Sequence, residues 1–320
     1  MMKLLARKET GLFLLLIVLC VITTLKNHHF LSADNLQDDA QLVGMFGIFS
    51  IGSGIVIITG GIDLSVGSLF AMLGVILAIL LDQKHWSPPL ALLIVLALST
   101  FLGWVHSMLI TRVKIQPFIV TLCGLLIYRG MARFISSDAS VGFEDAKGFK
   151  WLADFCNGKY FGLPTPFIFL LVLCVIFWFV LHRSVYGRHL FAAGRNEEAA
   201  RYSGINTRWV IGSSYVILGL LGGISAIFFS FYTNSVEPAS FGTLYELYGI
   251  AAAVLGGCSL RGGEGSVIGI LIGVILIQVL QNLVLFMDIP TSLNYTVMGG
   301  VIFLGVLADQ LISNRRRRKA

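Results

Sequence analysis

Asp63 and the glycines that precede it interrupt an otherwise apolar part of the sequence. Residues 59–68 read TGGIDLSVGS and lie between two long apolar runs. Gly60 and Gly61 permit a tight reversal or an unwound stretch. The carboxylate of Asp63 either caps the following helix or lines a polar path, since irregular backbone inside a membrane is tolerated where it faces a cavity. Both roles stay open, and the apolar runs predict that Asp63 lies at the inner membrane interface.

A similar interruption occurs late in the chain. Residues 256–266 read GGCSLRGGEGS and again place glycines and one acid between two apolar runs. The likeness of the two stretches suggests a weak internal duplication, and corresponding interruptions in the two halves of a transporter point toward its central site. The candidate hinge or pathway residues of both stretches are Gly60, Gly61, Asp63, Ser65, Gly67, Gly262, Gly263 and Glu264.

Three amides form another polar group within an apolar run. Gln278, Gln281 and Asn282 have the i, i+3, i+4 spacing that places side chains on one helix face. These amides could bind the hydroxyls of a sugar or bond to neighbouring helices, and the sequence leaves both uses open. His106 is the only histidine inside an apolar run, and we expect it to be a satisfied packing partner rather than a proton relay.

Charged residues also occur near the outer ends of the apolar runs. Arg129 and Arg133 lie one helical turn apart, and we expect both side chains to extend outward to water. Glu246 opens a later apolar run, where we expect it to be an acid in the first turn of a helix.

Residues 196–204, NEEAARYSG, have the composition of a short helix outside the membrane. An asparagine N-cap precedes two glutamates, which favour the positive end of the helix dipole, and a glycine can end the helix in the left-handed conformation. A helix of about two turns is marginal alone in water. The segment is therefore either a solvated connection or an element that docks on a partner. The residues assigned to it are Asn196, Glu197, Glu198, Ala199, Ala200 and Gly204.

The elements that position these residues are hydrophobic helices. The chain has 320 residues, of which 56% are hydrophobic and only 12% charged, against about 25% charged residues in soluble proteins. Apolar runs of membrane-spanning length recur throughout. They predict an all-α polytopic membrane protein with about ten transmembrane helices, over residues 11–25, 42–59, 64–81, 88–110, 117–135, 164–181, 209–231, 244–259, 267–287 and 295–312.

The basic residues orient these helices. If both termini are cytoplasmic, sixteen of the 23 lysines and arginines fall in inner segments, as the positive-inside rule requires. Because the basic residues are spread over several loops, the net charge of +6 does not indicate a nucleic-acid-binding face. The prediction is a single transmembrane domain over residues 1–320. Residues 1–41 form a first helix and an external loop, 42–312 the core, and 313–320 a basic cytoplasmic tail at the lipid headgroups.

Several other kinds of chemistry find little support in the residues. No cleavage site follows the first apolar run, so we expect a retained helix and not a signal peptide. The five cysteines have no C-x-x-C spacing, which indicates neither a disulfide framework nor a metal site. No G-x-x-x-x-G-K-[ST] motif is present to bind ATP phosphates. A secondary transporter would need several buried acids, and an intramembrane hydrolase built on Ser225 would need a histidine at the same depth.

Three stretches of the chain resemble signature sequences of one family. Residues 198–204 match E-A-A-x-x-x-G and resemble the EAA loop in permease subunits of bacterial ABC importers. The surrounding GRHLFAAGRNEEAARYSGI is similar to the form found in ribose-type permeases. TGGIDLSVGS and ELYGIAAAVLGGCSLRGGEGSVIG resemble two further signatures, in the order usual for the family. The resemblance covers roughly residues 40–312.

This resemblance implies the permease subunit of an ATP-driven importer in the bacterial inner membrane. It implies that residues 196–204 form a coupling helix on a separate ATPase subunit, which uses ATP and Mg, whereas this chain binds no cofactor and is not an enzyme. A second permease copy or a paralogue would complete the pore, and a periplasmic or extracellular sugar-binding protein would deliver the substrate. The implied substrates are ribose, xylose, galactose and related monosaccharides. Cyclic polyols, furanose signalling molecules and nucleosides are the alternatives within this class, and a secondary transporter is the alternative outside it.

Overall fold

The structure is a computed structural model that describes residues 8–143 and 148–287, together with residues 293, 296, 299, 300 and 303. Most of the chain is helical, as predicted. The helices are α1 (Lys8–Lys26), α2 (Ala33–Ile58), α3 (Val66–Ala78), α4 (Pro88–Thr111), α5 (Pro117–Ile135), α6 (Lys150–Asn157), α7 (Thr165–His182), α8 (Val185–Arg195), α9 (Glu197–Tyr202), α10 (Thr207–Thr233), α11 (Tyr245–Leu255) and α12 (Val267–Phe286). Four two-residue strands add two antiparallel pairs, β1 (Val141–Gly142) with β4 (Ser235–Val236) and β2 (Lys159–Tyr160) with β3 (Leu163–Pro164).

Seven helices in the described part of the chain are long and apolar enough to cross a membrane. They are α2, α3 with its π-helical extension to Gln83, α4, α5, α7, α10 and α12. α11 is apolar but has only 11 residues, about 16 Å at 1.5 Å per residue, and the apolar part of α1 is also short. The predicted tenth helix and the basic tail lie almost entirely outside the described residues.

Helix α2 begins well before the predicted start at residue 42. Ser32 is its N-cap, and the Ser32 Oγ accepts a hydrogen bond from the Asn35 backbone N–H at 3.3 Å. The prediction was wrong because hydropathy locates only the apolar part of a helix, whereas the first two turns of α2 are polar. Asp39, which was assigned to an external loop, therefore lies inside the helix.

The segment between α7 and α10 holds two helices where the sequence predicted one. Helix α8 precedes the predicted short helix, and the Ser184 Oγ caps it by accepting from the Gly187 N–H at 3.1 Å. Gly187, Leu190 and Ala193 are buried. Their spacing of three residues is the amphipathic signal from which α8 was predictable.

Protein surrounds residues 43–58 of α2, whereas α4, α5 and α7 have large exposed apolar faces. Residues 43–58 of α2 are buried except Phe46, as expected for a helix that is apolar all round. α4 and α10 approach each other closely through Gly103 and Gly219, where an added Cβ would enter the opposite backbone. The exposed sides of α4, α5 and α7 are consistent with contact to lipid.

Candidate functional site

The predicted short helix is present as α9. The Asn196 Oδ1 accepts a hydrogen bond from the Ala199 N–H at 2.9 Å, so Asn196 is the N-cap. Both predicted glutamates lie in the first turn. Gly204 follows the helix with φ +85°, the left-handed conformation that favours glycine. The local structure thus forms as the sequence predicts.

One face of α9 is attached to the bundle and the other is free. The Glu197 Oε1 accepts from the Lys114 Nζ and from the Thr207 Oγ1, each at 3.3 Å, and Ala200 is buried. The remaining residues of the helix are exposed, and Tyr202 is 84% exposed. The exposed face consists of Glu198, Ala199, Arg201 and Tyr202.

Both glycine-rich interruptions meet α8 at one place, which we call the inner junction (residues 58–61, 194–195 and 261–263). The Gly263 N–H donates to the Ile58 carbonyl at 2.8 Å. An added Cβ at Gly194 would overlap the Ile58 carbonyl oxygen and lie 2.8 Å from the Gly263 nitrogen. Gly262 adopts φ +81°, and a Cβ there would lie 3.0 Å from the Gly60 nitrogen. Because these contacts are backbone to backbone, α8 cannot move toward either interruption without displacing it.

Asp63 belongs to a buried chain of polar groups, the central polar cluster (Asp63, Ser65, His106 and Tyr128). The Asp63 Oδ1 accepts from the Ser65 N–H at 2.7 Å and from the Ser65 Oγ at 2.6 Å. The Asp63 Oδ2 lies 3.3 Å from the His106 Nδ1, and the Tyr128 hydroxyl lies 2.9 Å from the His106 Nε2. A carboxylate only accepts hydrogen bonds, so the His106 Nδ1 carries a proton in this arrangement.

The carboxylate of Asp63 is buried within the bundle, and its position at the inner membrane interface stays a prediction. Residues 61–65 have no helical structure. Asp63 is only 6% exposed. Tyr215 of α10 lines the same small cavity. Asp63 thus holds Ser65, the N-cap residue of α3, and contributes a carboxylate to a cavity inside the bundle.

His106 is a satisfied packing partner, as expected, but its two partners were not predicted. Asp63 and Tyr128 are 43 and 22 residues away from it in the chain. The only signal in the sequence is that one aspartate, one histidine and one tyrosine each occur beside or within apolar runs. Such a signal does not say which of them meet.

Two of the three amides bond to a neighbouring helix. The Gln278 Nε2 donates to the Asp39 Oδ1 at 3.0 Å, and the Asn282 Nδ2 donates to the Asp39 Oδ2 at 2.6 Å. Both amides are buried, whereas Gln281 is half-buried. Gln278 and Gln281 also line a small cavity whose other walls are Phe46, Ser50, Tyr248, Ala252, Val274 and Ile277.

Arg129 does not extend outward, which contradicts the prediction. Its Nη1 donates to the backbone carbonyls of Pro238 and Phe241 at 2.9 and 2.8 Å. Arg133 is exposed, as predicted, and pairs with Asp138 at 2.7 Å. The hydrogen bond from Arg133 holds the pKa of the Asp138 carboxyl below its usual value.

The segment that Arg129 holds leads into α11, which touches the start of α3. Glu246 lies in the first turn of α11, as predicted, and is only 7% exposed. A Cβ at Gly67 would overlap both the Gly242 carbonyl oxygen and the Glu246 carboxylate. Gly61 is equally confined, against the Tyr215 hydroxyl, whereas Glu264 is exposed. The short helix α11 and the interrupted helix α3 therefore meet inside the bundle.

No cluster of three or more histidine, cysteine, aspartate or glutamate side chains suited to a metal ion occurs among the described residues.

Comparison with known proteins places these features in a family. The model of the family described as branched-chain amino acid transport system / permease component matches residues 38–306. The ribose import permease protein of Bacillus subtilis (strain 168) is 34% identical over 304 residues, which cover 95% of this chain and 93% of that protein. The D-allose transport system permease protein of Escherichia coli (strain K12) is 31% identical, covering 94% and 91%. The autoinducer 2 import system permease protein of Escherichia coli O9:H4 (strain HS) is 30% identical, covering 97% and 94%. No solved structure matches the chain.

Proposed function

The chain belongs to the family of transport-system permease components, and from this premise we propose that it is the inner-membrane permease of an ATP-driven ABC importer for a monosaccharide of the ribose class. Two permease chains, identical or paralogous, form the pore. A separate ATPase subunit engages α9 from the cytoplasm, where both termini lie, and an external sugar-binding protein delivers the substrate. The import permeases among the relatives do not favour the alternative of a secondary transporter.

The contact of α8 with both interruptions is the observation that carries this proposal. The free face of α9 is available to a partner. α9 follows α8 directly, and Gly194 of α8 lies against Ile58 at the end of α2 and against Gly263 before α12. A force on α9 is therefore transmitted through a few backbone contacts to the helices on either side of the glycine-rich interruptions.

In the proposed mechanism, the ATPase changes the relative free energies of two conformations of the bundle. Nucleotide binding shifts an equilibrium only if the ATPase binds α9 differently in the two conformations. A movement of α9 displaces α8, which moves with it at the inner junction. The unwound residues 61–65 and the start of α12 then move as well. The Asp63 carboxylate then changes its position relative to His106, on α4, and opens or closes the polar path.

The class of substrate rests on the relatives. The cavity beside α12, of about 10 Å³, would have to widen to admit a sugar, but its lining offers suitable groups. Phe46 and Tyr248 provide aromatic surface, while Ser50, Gln278 and Gln281 provide hydroxyl and amide groups. This combination suits a polyhydroxylated molecule, because sugar hydroxyls need polar partners and sugar C–H faces pack on aromatic rings. The relatives are named for ribose, D-allose and autoinducer 2, so the proposal extends to a monosaccharide class and not to one sugar.

The docking part of the proposal is tested by reversing one charge on the free face of α9. Glu198 is exposed, and Glu198→Lys should abolish copurification of the ATPase subunit while the chain remains folded in the membrane. Asp34→Lys is the matched control, since Asp34 is an exposed acid in the first turn of α2 at the opposite end of the bundle. Wild-type recovery of the ATPase with Glu198→Lys would contradict the docking assignment.

The transport part is tested by uptake in cells that express the chain with its ATPase and binding protein. We expect radiolabelled ribose, allose, xylose or galactose to accumulate, and ATP depletion to stop the uptake. Competition among the unlabelled sugars then identifies the substrate. Uptake that persists after ATP depletion but stops with a proton uncoupler would refute the ATP-driven mechanism.

A further inference from the structure

A third cavity, outside the site already described, opens between α4 and α10 at the end of the bundle that carries α9. Its volume is about 820 Å³, far larger than either cavity near the central polar cluster or the amides. We call it the α4–α10 cleft. It is lined by Trp104, Ser107, Met108, Thr111, Arg112, Asn206, Arg208, Trp209, Gly212, Ser213, Val216 and Ile217.

Two arginines give this cleft a positive charge that no described residue neutralises. Arg112 ends α4 and Arg208 lies in the first turn of α10, and both are exposed. Within the described residues, neither guanidinium has a carboxylate partner or a hydrogen bond. A cation in the first turn also opposes the helix dipole. An anion in the cleft would offset both unfavourable effects.

A buried hydroxyl supplies an independent reason to expect a ligand. Ser107 is only 9% exposed and lines the cleft. Its hydroxyl has no hydrogen-bond partner among the described residues, whereas the neighbouring Thr111 Oγ1 donates to the Ser107 carbonyl at 2.7 Å. Because Ser107 lines the cleft, its hydroxyl is open to a ligand there, and a phosphate oxygen is an acceptor for the Ser107 O–H.

The remaining walls favour a lipid over a free anion. Trp104 and Trp209 are 47% and 61% exposed, and tryptophan is typical of the membrane–water interface. Met108, Val216 and Ile217 add an apolar surface that continues along α4 and α10 into the membrane. Free phosphate would use none of this surface, but an acyl chain would.

We propose that the α4–α10 cleft binds one anionic phospholipid of the cytoplasmic leaflet. The phosphate lies between the guanidinium groups of Arg112 and Arg208 and accepts from the Ser107 hydroxyl. The acyl chains follow the apolar wall, and the indole of Trp209 covers the glycerol region. This lipid site is separate from the proposed transport function. Because the cleft lies next to α9, lipid bound there links the lipid composition of the membrane to the end of the bundle that carries α9.

The test measures binding of phosphatidylglycerol to the purified full-length chain in detergent. Native mass spectrometry and thermal unfolding are recorded with phosphatidylglycerol, phosphatidylcholine or sodium phosphate. We expect saturable binding of one phosphatidylglycerol and a rise in Tm that phosphatidylcholine and phosphate do not produce. Each basic residue contributes about fivefold to the affinity for an anionic membrane lipid, so Arg112→Gln with Arg208→Gln should weaken binding by about 25-fold.

Arg188→Gln is the matched control, because Arg188 is exposed at the same end of the bundle but does not line the cleft. Ser107→Ala provides a second variant with unchanged charge and should weaken the binding of phosphatidylglycerol several-fold. Equal stabilisation by phosphatidylcholine, equal stabilisation by sodium phosphate, or unchanged affinity in the double arginine variant would each overturn the proposal. None of these readouts depends on transport, so they remain informative even if the proposed function is wrong.

Discussion

Replacing Gly194 with alanine tests whether α8 transmits movement to the inner junction. The added Cβ would overlap the Ile58 carbonyl oxygen and lie 2.8 Å from the Gly263 nitrogen. Ordinary contacts are about 3.5 Å or longer, so α8 and Gly263 must separate by at least about 0.7 Å. Such overpacking costs about 1–3 kcal/mol. Loss of the 2.8 Å hydrogen bond between Gly263 and Ile58 adds about 1 kcal/mol.

The expected result is a coupling defect with an intact docking surface. The two costs together come to at least about 2 kcal/mol, which alters the ratio of two conformations about thirtyfold when it falls on only one of them. Sugar uptake should therefore fall by about tenfold or more. The free face of α9 does not include Gly194, so the ATPase should copurify at the wild-type yield. The assay pairs initial uptake rates with copurification and with the abundance of the chain in the membrane.

Gly130→Ala is the matched control for this substitution. Gly130 lies in α5, and an added Cβ there meets no atom within 4 Å. Alanine is the better helix former by about 1 kcal/mol, so this variant should transport normally. Wild-type uptake by Gly194→Ala at wild-type abundance would refute the backbone route. Loss of the ATPase together with uptake would show that α8 acts in docking instead.

Two further predictions concern the carboxylates of Asp63 and Asp39. Asp63→Ala should lower uptake, and Asp63→Asn separates the two roles of this residue, because the asparagine Oδ1 can still accept from Ser65. If the Asn variant retains uptake and the Ala variant loses it, the hydrogen bond to Ser65 is what matters. If both variants lose uptake, the charge beside His106 is needed. Normal uptake by Asp63→Ala at normal abundance would remove Asp63 from the mechanism. Asp39→Ala leaves two buried amide donors without their acceptor and should lower the free energy of unfolding by about 3 kcal/mol. Asp38→Ala, an exposed neighbour, should change it by no more than about 0.5 kcal/mol, and equal shifts in Tm for the two variants would contradict this account of Asp39.

The elements governed by local rules were predictable from the sequence. Membrane spans follow from the hydropathy of about 20 consecutive residues, and α4, α5, α7, α10 and α12 begin and end within two residues of their predicted bounds. The short helix α9 was predictable because its cap, its first-turn acids and its terminal glycine act within a few residues. Family membership, suggested by three signature stretches, was confirmed by comparison.

The candidate site could be predicted only as separate pieces. Asp63 and the amides were recognisable as polar residues in apolar surroundings, but their partners lie on other helices. Arg129 was placed outward because nothing near it in the chain indicates the carbonyls of Pro238 and Phe241. In the same way, nothing near Asp39 in the chain indicates its hydrogen bonds to α12.

The sequence by itself determined the membrane class, most of the helices and the short exposed helix α9, because each depends on interactions between residues close in the chain. Only the tertiary structure decided that Gly194 meets both interruptions, that His106 joins Asp63 to Tyr128, and that Arg112 and Arg208 share one cleft. The reason is that hydrophobic packing determines which helix faces turn inward but hardly distinguishes between alternative pairs of apolar helices. Close backbone approach at glycines and hydrogen bonds between distant polar groups then select one arrangement from the many that hydropathy allows.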